Sequence, residues 1–203
     1  MTTGLAKAAK VLTAPQIKQL LRFTETTAYP KRNRVMVLLS FKAALRAKEI
    51  GMLTWAMVTD AEGALVTSMS LTNGATKGKS GRVIPLNTEL FAALDALHQD
   101  ESAKQRTSPD GFVITMKKGS TDAITRANSV VCLFKDWYAR LGFKGASSHS
   151  GRRTAITNLA RNVSRVGGSL RDVQVLAGHA SIVVTQRYVD TDPDAQRKLV
   201  ELI

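Results

Sequence analysis

The feature that most constrains the fold of this chain is an apolar run from Val35 to Phe41 with almost no polar side. The order is Val-Met-Val-Leu-Leu-Ser-Phe, so a helix formed from it is hydrophobic nearly all round. Such a helix is stable only when other elements cover it on every side. The run therefore predicts a central buried helix with the other elements packed around it. Arg46 follows five positions after Phe41, so we expect it at the C-terminal end of that helix.

Most of the remaining chain has helical spacing. Thr13 and Gln16 form a capping-box pattern before a helix that should continue to about residue 28. Ser169 and Gly178 bracket another helix as its cap and its stop signal. Further helical patterns are found at residues 47–53, 87–97, 125–141, 150–163, 181–188 and from residue 192 onward.

Residues 55–85 change to a different period. Residues 64–71 and 82–85 alternate as strands do, and an Asn-Gly step with later glycines joins them through a basic tip. Residues 99–111 are polar and predict a solvated loop. The sum is a mainly helical (α+β) fold with one small antiparallel β-sheet. We expect residues 1–11 to be a flexible N-terminus and residues 12–203 to form one domain.

The charge balance points to a polyanionic partner. The chain of 203 residues carries a formal net charge of +13 and a pI near 10.2. Lysine and arginine gain affinity for nucleic acid by displacing condensed counterions, although a basic protein need not bind a polyanion at all. The single cysteine, Cys132, excludes an internal disulfide, and no apolar run is long enough to span a membrane. We therefore expect a cytoplasmic protein that makes no use of a membrane.

Two common uses of histidine are not supported by the spacing. A zinc site needs three or four converging ligands, but the chain has no paired cysteines and no His-x-x-x-His pattern. A serine nucleophile with a histidine base would favour a Gly-x-Ser-x-Gly elbow, and none is present. We therefore expect neither a metal ion nor another cofactor.

The remaining pattern fits a phosphodiester site. His149 and Arg152 are three residues apart at a predicted helix N-terminus, where free amide hydrogens favour an anion. A solvated first turn would show the same pattern. Arg46 offers a second guanidinium fork for phosphate oxygens. Tyr188 is a feasible covalent nucleophile for phosphoryl transfer when the developing charge is neutralised around it.

The order of these motifs resembles the tyrosine recombinases, or phage-integrase family. Five segments carry the resemblance in family order: Ala44-Leu-Arg-Ala-Lys-Glu-Ile, Thr76-Lys-Gly-Lys-Ser-Gly-Arg-Val-Ile-Pro-Leu, His149-Ser-Gly-Arg, Leu176-Ala-Gly-His and Tyr188. The likeness covers residues 12–203, and it implies the fold of the DNA breaking-rejoining enzymes. It also implies site-specific recombination through a 3′-phosphotyrosyl intermediate, without metal or ATP.

The resemblance assigns a role to each motif residue. Arg46 and Arg152 would clamp the scissile phosphate, and His179 would donate a hydrogen bond to it. His149 would assist proton transfer at Tyr188. Lys77 would be the acid that protonates the departing 5′-oxygen, and Glu49 would support the arginines. Three further basic residues would contact the DNA: Lys79, Arg82 and Arg153. Lys79 is the alternative to Lys77 as the acid.

The sequence also departs from the family pattern. Ala44 stands where relatives commonly have glycine, which is tolerated unless the position needs a positive φ. Only about 45 residues precede Arg46, so we expect no separate N-terminal core-binding domain within this sequence. The chain then resembles either the short single-domain members or a remnant or excerpt of something longer. A type IB topoisomerase-like enzyme and a non-cleaving DNA-binding relative are the alternatives.

The resemblance also predicts partners. We expect double-stranded DNA, self-association into a tetramer on that DNA, and accessory DNA-bending proteins, with the protein associated with the nucleoid. Apolar residues of the tail would form a helix that packs either on its own chain or on a neighbouring subunit: Ala195, Leu199, Leu202 and Ile203.

Overall fold

The computed structural model describes residues 9–76, 81–116 and 121–188, together with residues 197, 200 and 201. The described part is helical with one two-stranded sheet, as the sequence predicts. Its helices and strands are α1 (Ala14–Glu25), α2 (Pro30–Lys42), α3 (Ala47–Gly51), β1 (Ser68–Leu71), β2 (Arg82–Pro85), α4 (Thr88–Ser102), α5 (Ala123–Arg140), α6 (Ser150–Asn162), α7 (Leu170–Ala177) and α8 (Ile182–Gln186).

The helix α2 is the centre of the fold. Residues 35–39 are all 0% exposed, and α1, α3, α4 and α6 pack against the helix. Each such fully buried aliphatic side chain contributes roughly 1.5–3 kcal/mol relative to exposure. The predicted central helix is therefore confirmed. Because α2 is surrounded, the turn at its C-terminal end is fixed by packing on several sides.

The N-terminal segment approaches this core before α1 begins. The backbone N–H of Lys10 donates to the carbonyl of Gly145 at 3.2 Å, and that of Leu12 donates to the hydroxyl of Thr154 at 2.9 Å. Thr13 and Gln16 then form the predicted capping box at the start of α1. Residues 1–8 of the predicted flexible segment lie outside the described residues.

Four predicted boundaries were wrong. The helix α2 begins at Pro30 and not at the apolar run from Val35, because proline suits the first position of a helix. The first strand begins at Ser68, because the carboxylate of Asp60 accepts the amides of Glu62 and Ala64 and holds that stretch in a turn. The helix α4 continues to Ser102, into the predicted loop, and a side-chain bond from Gln99 to Asp95 at 2.9 Å supports its last turn. The helix α1 ends at residue 25 rather than near residue 28.

The small sheet sets the direction of one important side chain. The strands pair antiparallel, with Leu71 opposite Arg82 and Met69 opposite Ile84. Alternate residues of a strand face the same side, so Arg82 and Ile84 face the protein while Val83 is exposed. The hairpin tip, residues 77–80, lies outside the described residues.

A small second core joins the elements that carry the predicted site. Its buried members come from the turn after α2, from α6 and from α7: Ala44, Ala155, Ile156, Val173 and Ala177. Tyr188 packs against its edge. Only part of the apolar face predicted for α6 is buried: Ile156 is fully buried, whereas Leu159 and Val163 are half-buried. In the described part of the chain, no helix is both long and apolar enough to cross a membrane.

Candidate active site

Five of the predicted catalytic residues line one cavity of about 240 Å³. They come from four separate stretches of the chain: Arg46, His149, Arg152, His179 and Tyr188. Ala9, Arg153 and Val184 complete the lining. Arg46 and Tyr188 are 142 positions apart in the sequence, so the fold assembles this cavity rather than any local motif.

The turn between α2 and α3 places Arg46. Ala44 adopts a left-handed conformation with φ of 54°, and the amide of Leu45 donates back to the carbonyl of Leu39 at 3.1 Å. Arg46 then precedes α3, and its amide donates to Glu49 at 2.8 Å. From the sequence, alanine in place of glycine at position 44 is expected to be tolerated unless the backbone needs a positive φ there. The structure has that positive φ, so an L-residue holds a position that favours glycine.

The carboxylate of Glu49 joins two arginines. The side chain is 1% exposed, and its Oε1 accepts from Arg46 Nη1 at 3.0 Å and from Arg82 Nη1 at 3.1 Å. Burial opposes ionisation of Glu49, but the hydrogen bonds and charges of Arg82 and Arg46 hold its pKa below the usual value. This geometry fits the predicted support of the arginine cluster by Glu49.

The predicted DNA contact of Arg82 does not fit its position. Its side chain is 5% exposed, its two Nη atoms bind Glu49, and its Nε donates to the carbonyl of Leu176 at 2.9 Å. The inward register of β2 is the physical reason. A Cβ at Gly178, where φ is +62°, would lie 2.7 Å from Arg82 Nη1, so this close approach needs glycine.

Arg152 is buried between the turn after α2 and the C-terminal end of α7. Its Nη1 donates to the carbonyl of Ala44 at 2.5 Å, and its Nη2 donates to the carbonyl of Ala177 at 2.8 Å. These bonds use two of the five guanidinium donors, and the other donors have no partner among the described residues. Burial and the charge of Arg46 lower the pKa of Arg152 to about 10, so the group stays protonated near neutral pH.

The start of α6 can reach this depth because residue 151 is a glycine. A Cβ on Gly151 would lie 2.1 Å from the hydroxyl of Ser40 and 2.8 Å from its Cβ, on the central helix α2. Real Cβ atoms do not approach that closely. The Gly in the His-Ser-Gly-Arg motif thus allows α6 to pack closely enough on α2 to bury Arg152.

His179 is held by its backbone and its ring. Gln174 binds both backbone groups of His179: its carbonyl accepts the His179 amide at 3.1 Å, and its Nε2 donates to the His179 carbonyl at 2.9 Å. The ring Nδ1 lies 2.9 Å from the hydroxyl of Thr185. Burial, then the charges of Arg152 and Arg46, lower the pKa of His179 to about 4, so its imidazole is neutral near neutral pH.

Tyr188 lies beside that imidazole. The two rings stack with centroids 5.5 Å apart, and the guanidinium of Arg153 lies 5.7 Å from the tyrosine ring centre. His149 is exposed, stands at the N-cap position of α6 without a side-chain capping bond, and lines the same cavity. One cavity is therefore lined by the nucleophile candidate Tyr188, by both histidines and by Arg153.

The cluster has an excess of positive charge. Three guanidinium groups, those of Arg46, Arg82 and Arg152, surround the single carboxylate of Glu49. Among the described residues, two positive charges of this cluster are left without a carboxylate partner. Such a cluster can stabilise a doubly charged transition state at a phosphodiester.

Two predicted residues, Lys77 and Lys79, lie outside the described residues. One residue before them, the carbonyl of Thr76 accepts from Lys48 Nζ at 3.1 Å, so α3 holds the base of the hairpin. Sequence reasoning missed Lys48, although it lies in the same motif as Arg46. It also missed Gln174 and Thr185, whose contacts with His179 have no signal in spacing.

No group of three histidine, cysteine, aspartate or glutamate side chains that could hold a metal ion occurs in the described ranges. Four residues of the predicted tail helix also lie outside those ranges: Ala195, Leu199, Leu202 and Ile203.

Solved structures place the fold in one class, the catalytic domains of DNA recombinases and integrases. The chain superposes on a crystal structure of XerA recombinase with a TM-score of 0.71 at 18% identity, covering 95% of this chain and 64% of that one. The catalytic domain of bacteriophage HP1 integrase matches with a TM-score of 0.62 at 21% identity, over 96% and 95% of the two chains. At these identities the likeness concerns the fold alone.

The sequence comparison is more specific. The model of the phage integrase family matches residues 10–194, and the chain belongs to that family. It is 27% identical to tyrosine recombinase XerC of Xanthomonas campestris pv. campestris over 187 residues, 92% of this chain and 52% of that protein. It is also 27% identical to tyrosine recombinase XerA of Thermococcus kodakarensis, over 95% of this chain and 62% of the relative. The chain thus spans about half the length of the XerC protein that it matches.

Proposed function

We propose that this chain is a catalytic domain that cuts and rejoins DNA strands through Tyr188 in site-specific recombination. The observation that carries the proposal is the shared cavity, which brings Arg46, Arg152, His149 and His179 around the tyrosine. The net charge of +13 supports double-stranded DNA as the partner. Membership of the phage integrase family and the likeness to a Tn1549 transposon integrase solved with circular-intermediate DNA (TM-score 0.70, 21% identity) support the same substrate.

The proposed cleavage step is a direct exchange at phosphorus. The oxygen of Tyr188 forms a bond to the phosphorus as the bond to the 5′-oxygen breaks, which leaves a 3′-phosphotyrosyl link and a free 5′-hydroxyl. His149 accepts the tyrosine proton, and Lys77 gives a proton to the departing 5′-oxygen. A 5′-hydroxyl of the partner strand then attacks the phosphotyrosine and restores a phosphodiester. The number of phosphodiester bonds is unchanged, so the exchange consumes no ATP.

The electrostatics of the cluster suit this step. The transition state carries about one more negative charge than the ground-state diester, and preorganised donors stabilise such charge strongly. Among the described residues, Arg46 and Arg152 each keep guanidinium donors without a partner, and neutral His179 can donate one hydrogen bond. The buried pair of Glu49 and Arg82 fixes the cluster without contributing net charge.

We also propose that recombination requires self-association on DNA, as a tetramer with accessory DNA-bending proteins, in the cytoplasm at the nucleoid. The family resemblance supports this assembly. Residues 12–203 are proposed as one catalytic domain. The type IB topoisomerase alternative and a non-cleaving relative are less well supported, because the relatives described above are recombinases and integrases.

A covalent-adduct assay tests the proposed nucleophile. A nicked DNA substrate made from repeats that flank the gene releases a short fragment on cleavage and traps the cut complex. The native chain should give a protein–DNA band that survives denaturation, and Tyr188→Phe should give none. Mass spectrometry of the digested adduct should locate the nucleotide on Tyr188.

The matched control is Tyr29→Phe, because Tyr29 is 59% exposed and precedes α2 at the end remote from the cavity. This variant should form the adduct at the native level. An adduct that persists in Tyr188→Phe would overturn the assignment. If a bound cognate substrate never gave an adduct with the native chain, the non-cleaving alternative would replace the proposal.

A further inference from the structure

The buried side chain of Thr185 contacts the ring of His179. Thr185 lies on α8 and is 0% exposed, whereas His179 lies in the turn after α7. Its Oγ1 is 2.9 Å from Nδ1 of the imidazole. This bond is a direct side-chain link between α8, the element before Tyr188, and the histidine at the cavity.

A count of protons favours one direction for this hydrogen bond. Burial and the charges of Arg152 and Arg46 keep His179 neutral, so its ring carries one proton on either Nδ1 or Nε2. A proton on Nδ1 would be donated to Thr185, whose own hydroxyl proton would then need another acceptor. Within the described ranges, Oγ1 of Thr185 has His179 Nδ1 as its sole hydrogen-bond partner. Since buried polar groups in native proteins are mostly paired, the arrangement that satisfies both groups among the described residues is a hydroxyl of Thr185 that donates to Nδ1.

The other ring nitrogen then carries the proton. Among the described residues, Nε2 of His179 has no hydrogen-bond partner, and the ring lines the cavity together with Arg46 and Arg152. An N–H at this position can donate to an anion, whereas a bare ring nitrogen would repel it. The tautomer of His179 therefore decides whether the histidine assists phosphate binding or opposes it.

Thr185 also holds the segment that carries the nucleophile candidate. Its backbone carbonyl accepts the amide of Tyr188 at 3.0 Å, and the Tyr188 ring stacks on His179. One residue thus contacts the phosphate-binding histidine through its side chain and the nucleophile's turn through its backbone.

We propose that Thr185 is a positioning residue that donates its hydroxyl proton to Nδ1 of His179 and so keeps the proton on Nε2 for a non-bridging phosphate oxygen. The role of that proton rests on the proposed function, whereas the tautomer itself is a property of the free protein. These two parts can be measured separately.

The tautomer is read by ¹⁵N NMR of protein labelled at histidine, without DNA, because the two ring nitrogens have different shifts in each tautomer. The His179 signals are assigned from their loss in His179→Gln. The native chain and Thr185→Ser should show the Nε2–H form at pH 7. Thr185→Val, which has nearly the same shape without the hydroxyl, should lose that preference and show a mixture or the Nδ1–H form.

The matched control is Thr24→Val. Thr24 is also 0% exposed and loses a comparable bond, from its hydroxyl to the carbonyl of Leu21, but it lies on α1. The His179 signals of Thr24→Val should match those of the native chain. A native Nδ1–H tautomer, or an unchanged tautomer in folded Thr185→Val, overturns the proposal.

Single-turnover cleavage of bound DNA tests the consequence. Thr185→Val should slow cleavage by about tenfold, while Thr185→Ser stays within about twofold of the native rate and DNA affinity is unchanged. Thr24→Val should cleave at the native rate. Equal rates for Thr185→Val and Thr185→Ser would overturn the positioning role. An Nε2–H tautomer in a native chain that cannot cleave would instead refute the proposed function and leave the tautomer assignment intact.

Discussion

Ala44 shows how one backbone angle shapes the candidate anion site. Its φ of 54° reverses the chain after α2, and the reversal points its carbonyl at Nη1 of Arg152. The methyl group is 1% exposed and packs in the second core with Ala155 and Ala177. A left-handed conformation costs an L-residue about 1–2 kcal/mol, and burial of the methyl group offsets roughly 0.8 kcal/mol of that cost.

This balance predicts outcomes of very different size for two substitutions. Ala44→Gly removes the strain but also the buried methyl group, and it adds about 0.4–1 kcal/mol of unfolded-state entropy cost. Its free energy of unfolding should therefore change by less than about 1 kcal/mol. Ala44→Val places a branched side chain at a positive φ within a packed core and should destabilise the protein by roughly 3 kcal/mol or more.

Urea denaturation of the native chain, Ala44→Gly and Ala44→Val measures these free energies of unfolding. Strand cleavage should survive Ala44→Gly, because the carbonyl that binds Arg152 is retained. A Val variant as stable as the native chain would show that this position does not require the left-handed conformation.

At the scale of elements, the side chain of Arg82 connects β2 to α3 and to the last turn of α7. Arg82 binds both carboxylate oxygens of Glu49 and the carbonyl of Leu176. Removing one partner of a buried ion pair typically costs about 3–5 kcal/mol. Glu49 would still keep Arg46, so the loss should be at the lower end of that range.

We therefore expect Arg82→Met to lower the free energy of unfolding by about 3 kcal/mol. Addition of Glu49→Gln should cost less in this background than in the native chain, with a coupling energy of roughly 1–3 kcal/mol in a double-mutant cycle. If Arg82 instead contacted DNA directly, Arg82→Met would leave stability unchanged and reduce the salt dependence of DNA binding by about one phosphate.

The same elements show how far the sequence carries the prediction. Periodicity and caps located α5, α6 and α7 closely, because those signals are local. The apolar run located the buried part of α2 but missed its first turn, which begins at Pro30. Motif order was enough to group Arg46, Arg152, His179 and Tyr188 before their contacts were known. The direction of Arg82 was missed, because it depends on strand register. The contact between Thr185 and His179 was missed as well, because it depends on how α8 packs beside α7.

At the scale of the whole molecule, positive charge is not balanced equally at the two ends of α2. At the end that begins with Pro30, Lys31 and Lys104 both bind Asp100, at 3.1 and 2.5 Å. The 13 residues of α2 span about 20 Å, and the arginine cluster follows at the opposite end with Glu49 as its carboxylate. The cavity end should therefore be the one that meets a polyanion.

DNA binding should consequently weaken steeply with salt, and it should do so through the cavity end. If roughly 6–10 phosphates are contacted, affinity should fall by about 10³–10⁵ between 50 and 200 mM salt. Arg153→Ala should reduce the slope of log affinity against log salt by about one, because Arg153 lines the cavity. Lys31→Ala removes the same charge at the other end and should leave the slope unchanged. Fluorescence anisotropy over a salt series gives the slope for the native chain and for both variants. An equal reduction of the slope in Arg153→Ala and Lys31→Ala would contradict DNA binding at the cavity end. An affinity of the native chain that does not change with salt would contradict DNA as the partner.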